Sequence, residues 1–359
     1  MRIHSSAELH ASQADVAVCR EMLRGGSRTF FAASLVLPAS VRRPATGLYA
    51  FCRTADDAID QGSRAPAALD ELHARLDRIY SGAPAGCAAD RAFADVVCRF
   101  AVPKDFPAAL LEGFAWDAEC RRYADLPQLM AYAVRVAGTV GAMMAMVMEV
   151  RDPAILYRAC DLGVAMQLTN IARDVGEDAR NGRLYLPLDW LREAGIDPDE
   201  WLAQPTAGPQ LARVIERLLA AAEDLYSRSD AGLAQLPLAC RPGMRAARLL
   251  YAEIGHEVAR RRFDSVTQRA VVPWQRKARI LADAMIPAMR FESIRVDGPL
   301  AEADYLFARL PRRDAAAWAP AESTRERARW PRVEDRVVWL IDLFERLERR
   351  ERAATGGAE

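Results

Sequence analysis

Apolar residues recur along this chain at steps of three and four, the spacing that gathers them on one face of an α-helix. The first such run covers residues 12–24. It opens at Ser12, a capping residue, carries Val16 and Leu23 on one side, and stops at Gly25-Gly26. The same period predicts helices over 28–36, 39–60, 66–80, 88–101, 106–123, 127–148, 153–180, 209–235, 242–263 and 274–291, many punctuated by Pro or Gly. No alternating run is bounded by hairpin turns, so strands are not expected. The predicted fold is all-α, a single large bundle over residues 1–295. Residues 296–359 form a C-terminal extension of different character, rich in Ala, Arg and Glu, with an amphipathic helix near 333–350. The apolar stripe of that helix suits packing on the body, or, as the alternative, a membrane surface.

Composition narrows the function classes. A chain of 359 residues with 51% hydrophobic content can bury a large core. Its 49 basic and 49 acidic residues cancel and form no long block of one sign, which argues against a nucleic-acid partner. Seven cysteines stand singly with no CxxC pair, as expected of core residues in a reducing compartment. The four histidines have no zinc-site spacing. No signal core and no run of about 18 apolar residues is evident, so the expected location is the cytoplasm.

Two acidic segments then stand out. In YAFCRTADDAID (49–60), Tyr49, Arg53, Asp56 and Asp60 share one helical face; in MQLTNIARDVGED (166–178), Gln167, Asn170, Asp174 and Asp178 do the same. A solvated surface stripe is the bland reading, but like charges at i and i+4 cost about 0.2–0.5 kcal/mol. The flanking residues are also apolar, and an unpaired carboxylate among them would be prohibitively costly. Something positive must neutralise them. Oxygen ligands without His or Cys favour a hard cation, Mg²⁺ or Mn²⁺, completed by water and phosphate oxygens. Two such stripes in a bundle predict a metal–diphosphate site.

These stretches, together with GSRTFF (26–31), GFAWDAECRRY (113–123), YAVRVAGTVG (132–141), QLTNIARDVGEDARNGRLYLP (167–187) and DSVTQRAVV (264–272), resemble the squalene/phytoene synthase family, and most of all its bacterial phytoene synthases. The resemblance implies a bundle of the isoprenoid synthase type with a central cavity. It implies a prenyltransferase that joins two geranylgeranyl diphosphates head to head through a cyclopropylcarbinyl diphosphate to give phytoene. Asp56, Asp60, Asn170, Asp174 and Asp178 would hold the cations, with Asp57 a weaker candidate. Tyr49, Tyr132 and Tyr251 would line the reaction cavity. Ser27, Arg28, Thr29 and Phe30 would form a flap at the diphosphate mouth, where Arg53, Gln167 and Arg269 also bind substrate, with Arg173 a lesser contributor. Val136, Gly138 and Gly141 would let a prenyl chain pass, although close helix packing explains the glycines equally well, and Arg135 should face away. Ser34 and Thr46 are expected at the tunnel floor. The Gly-rich dinucleotide fingerprint is absent, and no nicotinamide cofactor is expected. The alternatives are a C30 synthase acting on farnesyl diphosphate and a catalytically silent, membrane-associated assembly factor of the same fold. The apolar product also allows peripheral contact with the inner face of the membrane.

Overall fold

The computed structural model describes residues 9–26, 28–60, 65–84, 86–285 and 298–308. Helices fill them, and no strand occurs among the described residues. The chain begins with α1 (Gln13–Gly26), α2 (Arg28–Val36) and α3 (Ala39–Asp60), then α4 (Ala65–Tyr80), α5 (Ala88–Phe100) and α6 (Asp105–Ala118). It continues as α7 (Leu126–Ala133), a π-helical turn (Val134–Gly138) and α8 (Thr139–Val147), and then as the long α9 (Pro153–Arg180). The short α10 (Leu188–Glu193) and α11 (Pro198–Ala203) lead to α12 (Pro209–Leu233), α13 (Arg241–Arg260) and α14 (Trp274–Met285). A 3₁₀ turn (Ala301–Ala303) and α15 (Asp304–Phe307) end the described chain.

Local chemistry accounts for the helix starts. Ser12 Oγ accepts from the Asp15 amide at 3.1 Å while the Asp15 carboxylate accepts from the Ser12 amide at 2.9 Å, a reciprocal cap. At α9 the Asp152 side chain accepts from the Ala154 amide, and Pro153 takes the first helical position, where no amide proton is needed. Helix α9 is the central element. Leu156, Leu162, Val164, Leu168, Ile171 and Val175 are all buried, so apolar residues occupy most of its circumference, and α8, α12 and α13 pack around it.

Glycine sets the closest of these crossings. A Cβ on Gly141 would lie 2.1 Å from Ala159 O, one on Gly138 2.7 Å from Cys160 Sγ, and one on Gly163 2.2 Å from Ala137 O. The glycines thus let the π turn and α8 touch α9 backbone to backbone. That is the packing role for Gly138, which leaves the cavity wall, while Gly141 serves both purposes.

Several expected boundaries shift. The helix expected over 106–123 stops at Ala118 because Cys120 adopts a left-handed backbone, φ 49°. The one expected over 127–148 is broken in phase by the π turn. The continuous stretch Leu126–Val147 is long and apolar enough to cross a membrane by composition, but 61% of its apolar window is buried within the protein. Residues 298–308 of the expected extension pack on the body, with Ala303, Leu306 and Phe307 in the main core. The helix expected near 333–350 lies outside the described residues, as do positions 286–291 of the last body helix.

Candidate functional site

A cavity of about 260 Å³ opens between the N-terminal helices and α9. Its walls are predominantly apolar. Helix α3 contributes Ala45, Leu48, Tyr49 and Cys52; the π turn and α8 contribute Val136, Val140, Gly141 and Met144; α9 contributes Leu162, Met166, Gln167 and Asn170; and α13 contributes Met244 and Tyr251. Ser34 of α2 also lines it, with its hydroxyl donating to Phe31 O at 2.7 Å. Thr46 does not. It is buried, but its hydroxyl donates to Arg42 O and the α3 face turned to the cavity passes through Ala45 and Tyr49 instead.

Both wall helices turn acidic toward their C-termini. On α3, Arg53 donates to Asp57 with Nε at 3.1 Å and Nη2 at 2.7 Å, and reaches Asp56 at 3.6 Å. Asp57, the weaker candidate on spacing alone, is therefore the principal partner of Arg53. Asp60 is the last residue of α3. On α9, Asp174 accepts from Arg269 Nε at 2.8 Å and Nη2 at 3.2 Å, and from its neighbour Arg173. Burial alone would raise the Asp174 carboxyl, but the hydrogen bonds from Arg173 and Arg269 prevail and hold it below its usual range.

Asp178, one turn further, has no such cover among the described residues. Burial, reinforced by the Asp174 charge, pushes it up to about 7, with Arg183 only partly offsetting. A third carboxylate joins them from α6. Asp117 accepts from Tyr185 Oη at 2.7 Å and Tyr132 Oη at 2.9 Å, yet burial still raises it to about 6. The Asp56 charge contributes to that rise, and the Asp117 charge to that of Asp178. Asp56, Asp117, Asp174 and Asp178 thus form one electrostatic cluster linking α3, α6 and α9.

The tyrosines divide between two settings. Tyr49 and Tyr251 line the cavity, where burial pushes the Tyr49 hydroxyl up to about 12. Tyr132, expected on the cavity wall, instead lies buried between Tyr123 and Tyr185, with ring centroids 5.3 Å from each, and donates a hydrogen bond to Asp117. Arg135 faces away, with Nε 3.1 Å from Glu112 and its guanidinium over the Trp116 ring. Ser27 lies outside the described residues; Arg28, Thr29 and Phe30 open α2 directly after it. Next to them a Cβ on Gly26 would lie 2.2 Å from Tyr49 Oη, so only glycine lets that tyrosine close against α1.

Arg269 owes its place to a docked loop. The Asp264 side chain accepts from the Val266 and Thr267 amides, bending the chain so that Ser265 O receives the Gly176 amide at 2.9 Å. Sequence reasoning missed Asp117, Tyr185 and Arg183. Asp117 is one of three carboxylates in the DFPAALLEGFAWDA helix, with Asp105 and Glu112, and nothing in the spacing sets it apart from them.

Among the described residues no three carboxylates are already gathered to ligate one ion. The donor set nevertheless fits a hard divalent cation: carboxylates and an amide, no His or Cys, and two carboxyls raised by burial beside other carboxylates. A pH dependence follows. A carboxyl raised from 3.8 to about 7 contributes stability that is complete below pH 4 and lost as pH rises through 7. Without divalent cation the melting temperature should therefore fall from pH 5 to pH 8, and Mg²⁺ should raise it more at pH 8, where the ionised form awaits it. Thermal melts with and without Mg²⁺ at both pH values check this; an equal gain at both would contradict it.

The profile of the squalene/phytoene synthase family matches residues 23–278. The phytoene synthase of Rhodobacter capsulatus is 53% identical over 281 residues, covering 77% of this chain and 83% of that protein. That of Cereibacter sphaeroides is 53% identical over 276 residues, covering 74% and 78%. Among solved structures, a dehydrosqualene synthase in complex with ligand superposes with TM-score 0.71 at 31% identity, covering 76% of this chain and 95% of the other. A squalene synthase from Alicyclobacillus acidocaldarius gives TM-score 0.64 at 25% identity, covering 70% and 95%.

Proposed function

This chain belongs to the squalene/phytoene synthase family, and from that premise we infer that it is a phytoene synthase, condensing two geranylgeranyl diphosphates head to head through prephytoene diphosphate. The observation that carries the reading is 53% identity to two bacterial phytoene synthases, over 281 and 276 residues.

The chain's residues divide the work. An apolar cavity ending in carboxylates and arginines suits a prenyl chain ending in diphosphate. Asp56, Asp60, Asn170, Asp174 and Asp178 are the residues we propose for Mg²⁺, which when bound supplies the positive charge that stabilises departing diphosphate. Arg269 and Arg173, held on Asp174 in this state, are placed to turn toward phosphate oxygens in forked contacts. Tyr49 and Tyr251 offer aromatic faces to a carbocation, and the apolar wall excludes water that would capture it. In the first step the C–O bond of one substrate breaks, diphosphate leaves, and the double bond of the other substrate attacks the cation. A proton is lost and a cyclopropane forms. In the second step the remaining C–O bond breaks, and the rearranged cation loses a proton to give the hydrocarbon without a reductant.

Incubation with geranylgeranyl or farnesyl diphosphate, each with and without NADPH, tests the assignment. The expected product is a C40 hydrocarbon from geranylgeranyl diphosphate, independent of NADPH. A C30 product from farnesyl diphosphate alone would assign the chain to the dehydrosqualene or squalene synthases, and no turnover of either would favour the assembly factor.

The loop carrying Arg269 supplies a sharper test. A Cβ on Gly176 would lie 2.5 Å from Val266 O and 2.6 Å from Val266 Cα, both backbone atoms that cannot swing aside. Gly176→Ala should lift the loop, take Arg269 from the mouth and raise KM about tenfold, the scale of one lost charge-assisted contact. Circular dichroism should stay unchanged, and an unaltered KM would show that Arg269 does not bind substrate from there.

The product is apolar, and we place its release at the inner face of the membrane. Full-length protein should co-sediment in part with anionic phospholipid vesicles; recovery entirely in the supernatant would contradict this.

A further inference from the structure

The cavity has two chemically opposite ends. Along α9 its lining residues run back from Asn170 through Met166 and Leu162 to Arg158 and Ile155, one continuous helical face. At about 1.5 Å per residue Arg158 lies about 24 Å from Asp174. A C20 prenyl chain, extended at ordinary bond lengths of about 1.5 Å, is about 20 Å long. Arg158 therefore stands near where the tip of such a chain would end.

This arginine is buried, 5% exposed, and is held from several sides. Its Nε lies 3.2 Å from Asp161 Oδ2, and its Nη2 donates to Gly298 O at 2.7 Å. From α12, Arg228 donates to the same two acceptors, to Asp161 at 3.3 Å and to Gly298 O at 2.9 Å. The α12 backbone closes on the side chain as well, since a Cβ on Gly232 would lie 2.3 Å from Arg158 Cβ. Only Nη1 is buried without a hydrogen-bond partner among the described residues. The segment that supplies Gly298 lies beyond the family match at 23–278 and is itself anchored, with the Phe307 ring edge-on to Tyr157 at 4.7 Å between centroids.

We propose that Arg158 is the chain-length stop of the cavity, fixed in place by Asp161, Arg228 and the Gly298 carbonyl. The inference rests on the prenyl diphosphate reading above. An apolar tip that advanced further would have to displace a packed, ion-paired side chain and could offer its buried Nη1 no hydrogen bond. Nor can the side chain swing away, because its remaining donors are committed and the packing around it is dense. A C15 chain stops short and buries less apolar surface, whereas a C25 chain meets the fixed Arg158 side chain.

The test compares kcat/KM for the C20 substrate geranylgeranyl diphosphate and its C25 homologue geranylfarnesyl diphosphate, using the full-length protein. Arg158→Met, which keeps length and removes charge, should raise the C25-to-C20 ratio at least tenfold, while Arg158→Lys should keep the wild-type ratio. Should the Met variant unfold because Asp161 keeps its buried charge, Arg158→Met with Asp161→Asn removes both charges and carries the same expectation. Folded variants with the wild-type ratio would overturn the proposal while leaving the C20 assignment intact. Wild-type protein that ignores the C20 substrate would overturn the assignment, and this inference with it.

Discussion

Asp56→Asn and Asp174→Asn should each lower kcat about 10³-fold, with the fold retained. The expectation comes from where charge develops: diphosphate leaves at the acidic mouth, and losing one preorganised electrostatic partner there costs about 10²–10³ in rate. For Asp174 the neutral amide also frees Arg173 and Arg269, so the effect should sit at the upper end. Both variants should bind Mg²⁺ more weakly, and wild-type activity should vanish in excess EDTA and return with Mg²⁺ or Mn²⁺. Steady-state rates with circular dichroism as a folding control check this. Undiminished turnover in EDTA would remove the metal from the account.

The helices and the paired aspartates were legible in the sequence for the same reason. Both are periodic, and period reports which face is buried. Helix α9 shows this, since its apolar positions and its Gln167, Asn170, Asp174, Asp178 stripe follow one rotation. What was not legible lacked a period. The π turn at Val134–Gly138 reads Val-Arg-Val-Ala-Gly within a longer helical period, and nothing in that string marks a slip in phase. α10 and α11, six residues each, are too short to show an amphipathic repeat. Thr46 was expected at the tunnel because it lies one turn from Tyr49, but spacing does not fix how a helix is rotated about its axis, and Ala45 faces inward instead. Tyr132 shares YAVRVAGTVG with Val136, yet one turns to Asp117 and the other to the cavity. The packing of residues 298–308 rests on three apolar residues in a stretch otherwise unlike the bundle.

Asp117→Ala should be the most damaging change outside the two aspartate stripes. Its carboxylate is the acceptor for both buried Tyr132 and half-buried Tyr185, whose rings stack beside Tyr123. Removing it leaves two hydroxyls in a dry site, at about 1–3 kcal/mol each. It also removes one member of the charge cluster that joins α3 to α9. The melting temperature should drop by several degrees or more and kcat about 10²-fold. Asp117→Asn, which keeps an acceptor oxygen, should recover most of the stability and less of the rate. Equal recovery of both would make Asp117 purely structural.

The central claim is that one cavity carries out two successive ionisations on a pair of C20 chains. Rapid-quench analysis of purified protein with geranylgeranyl diphosphate and Mg²⁺, following diphosphate and prenyl products together, tests it directly. The account predicts that prephytoene diphosphate rises and decays, that phytoene follows, and that two diphosphates are released per hydrocarbon. Diphosphate release without a C40 hydrocarbon, or a hydrocarbon formed with only one diphosphate released, would contradict it.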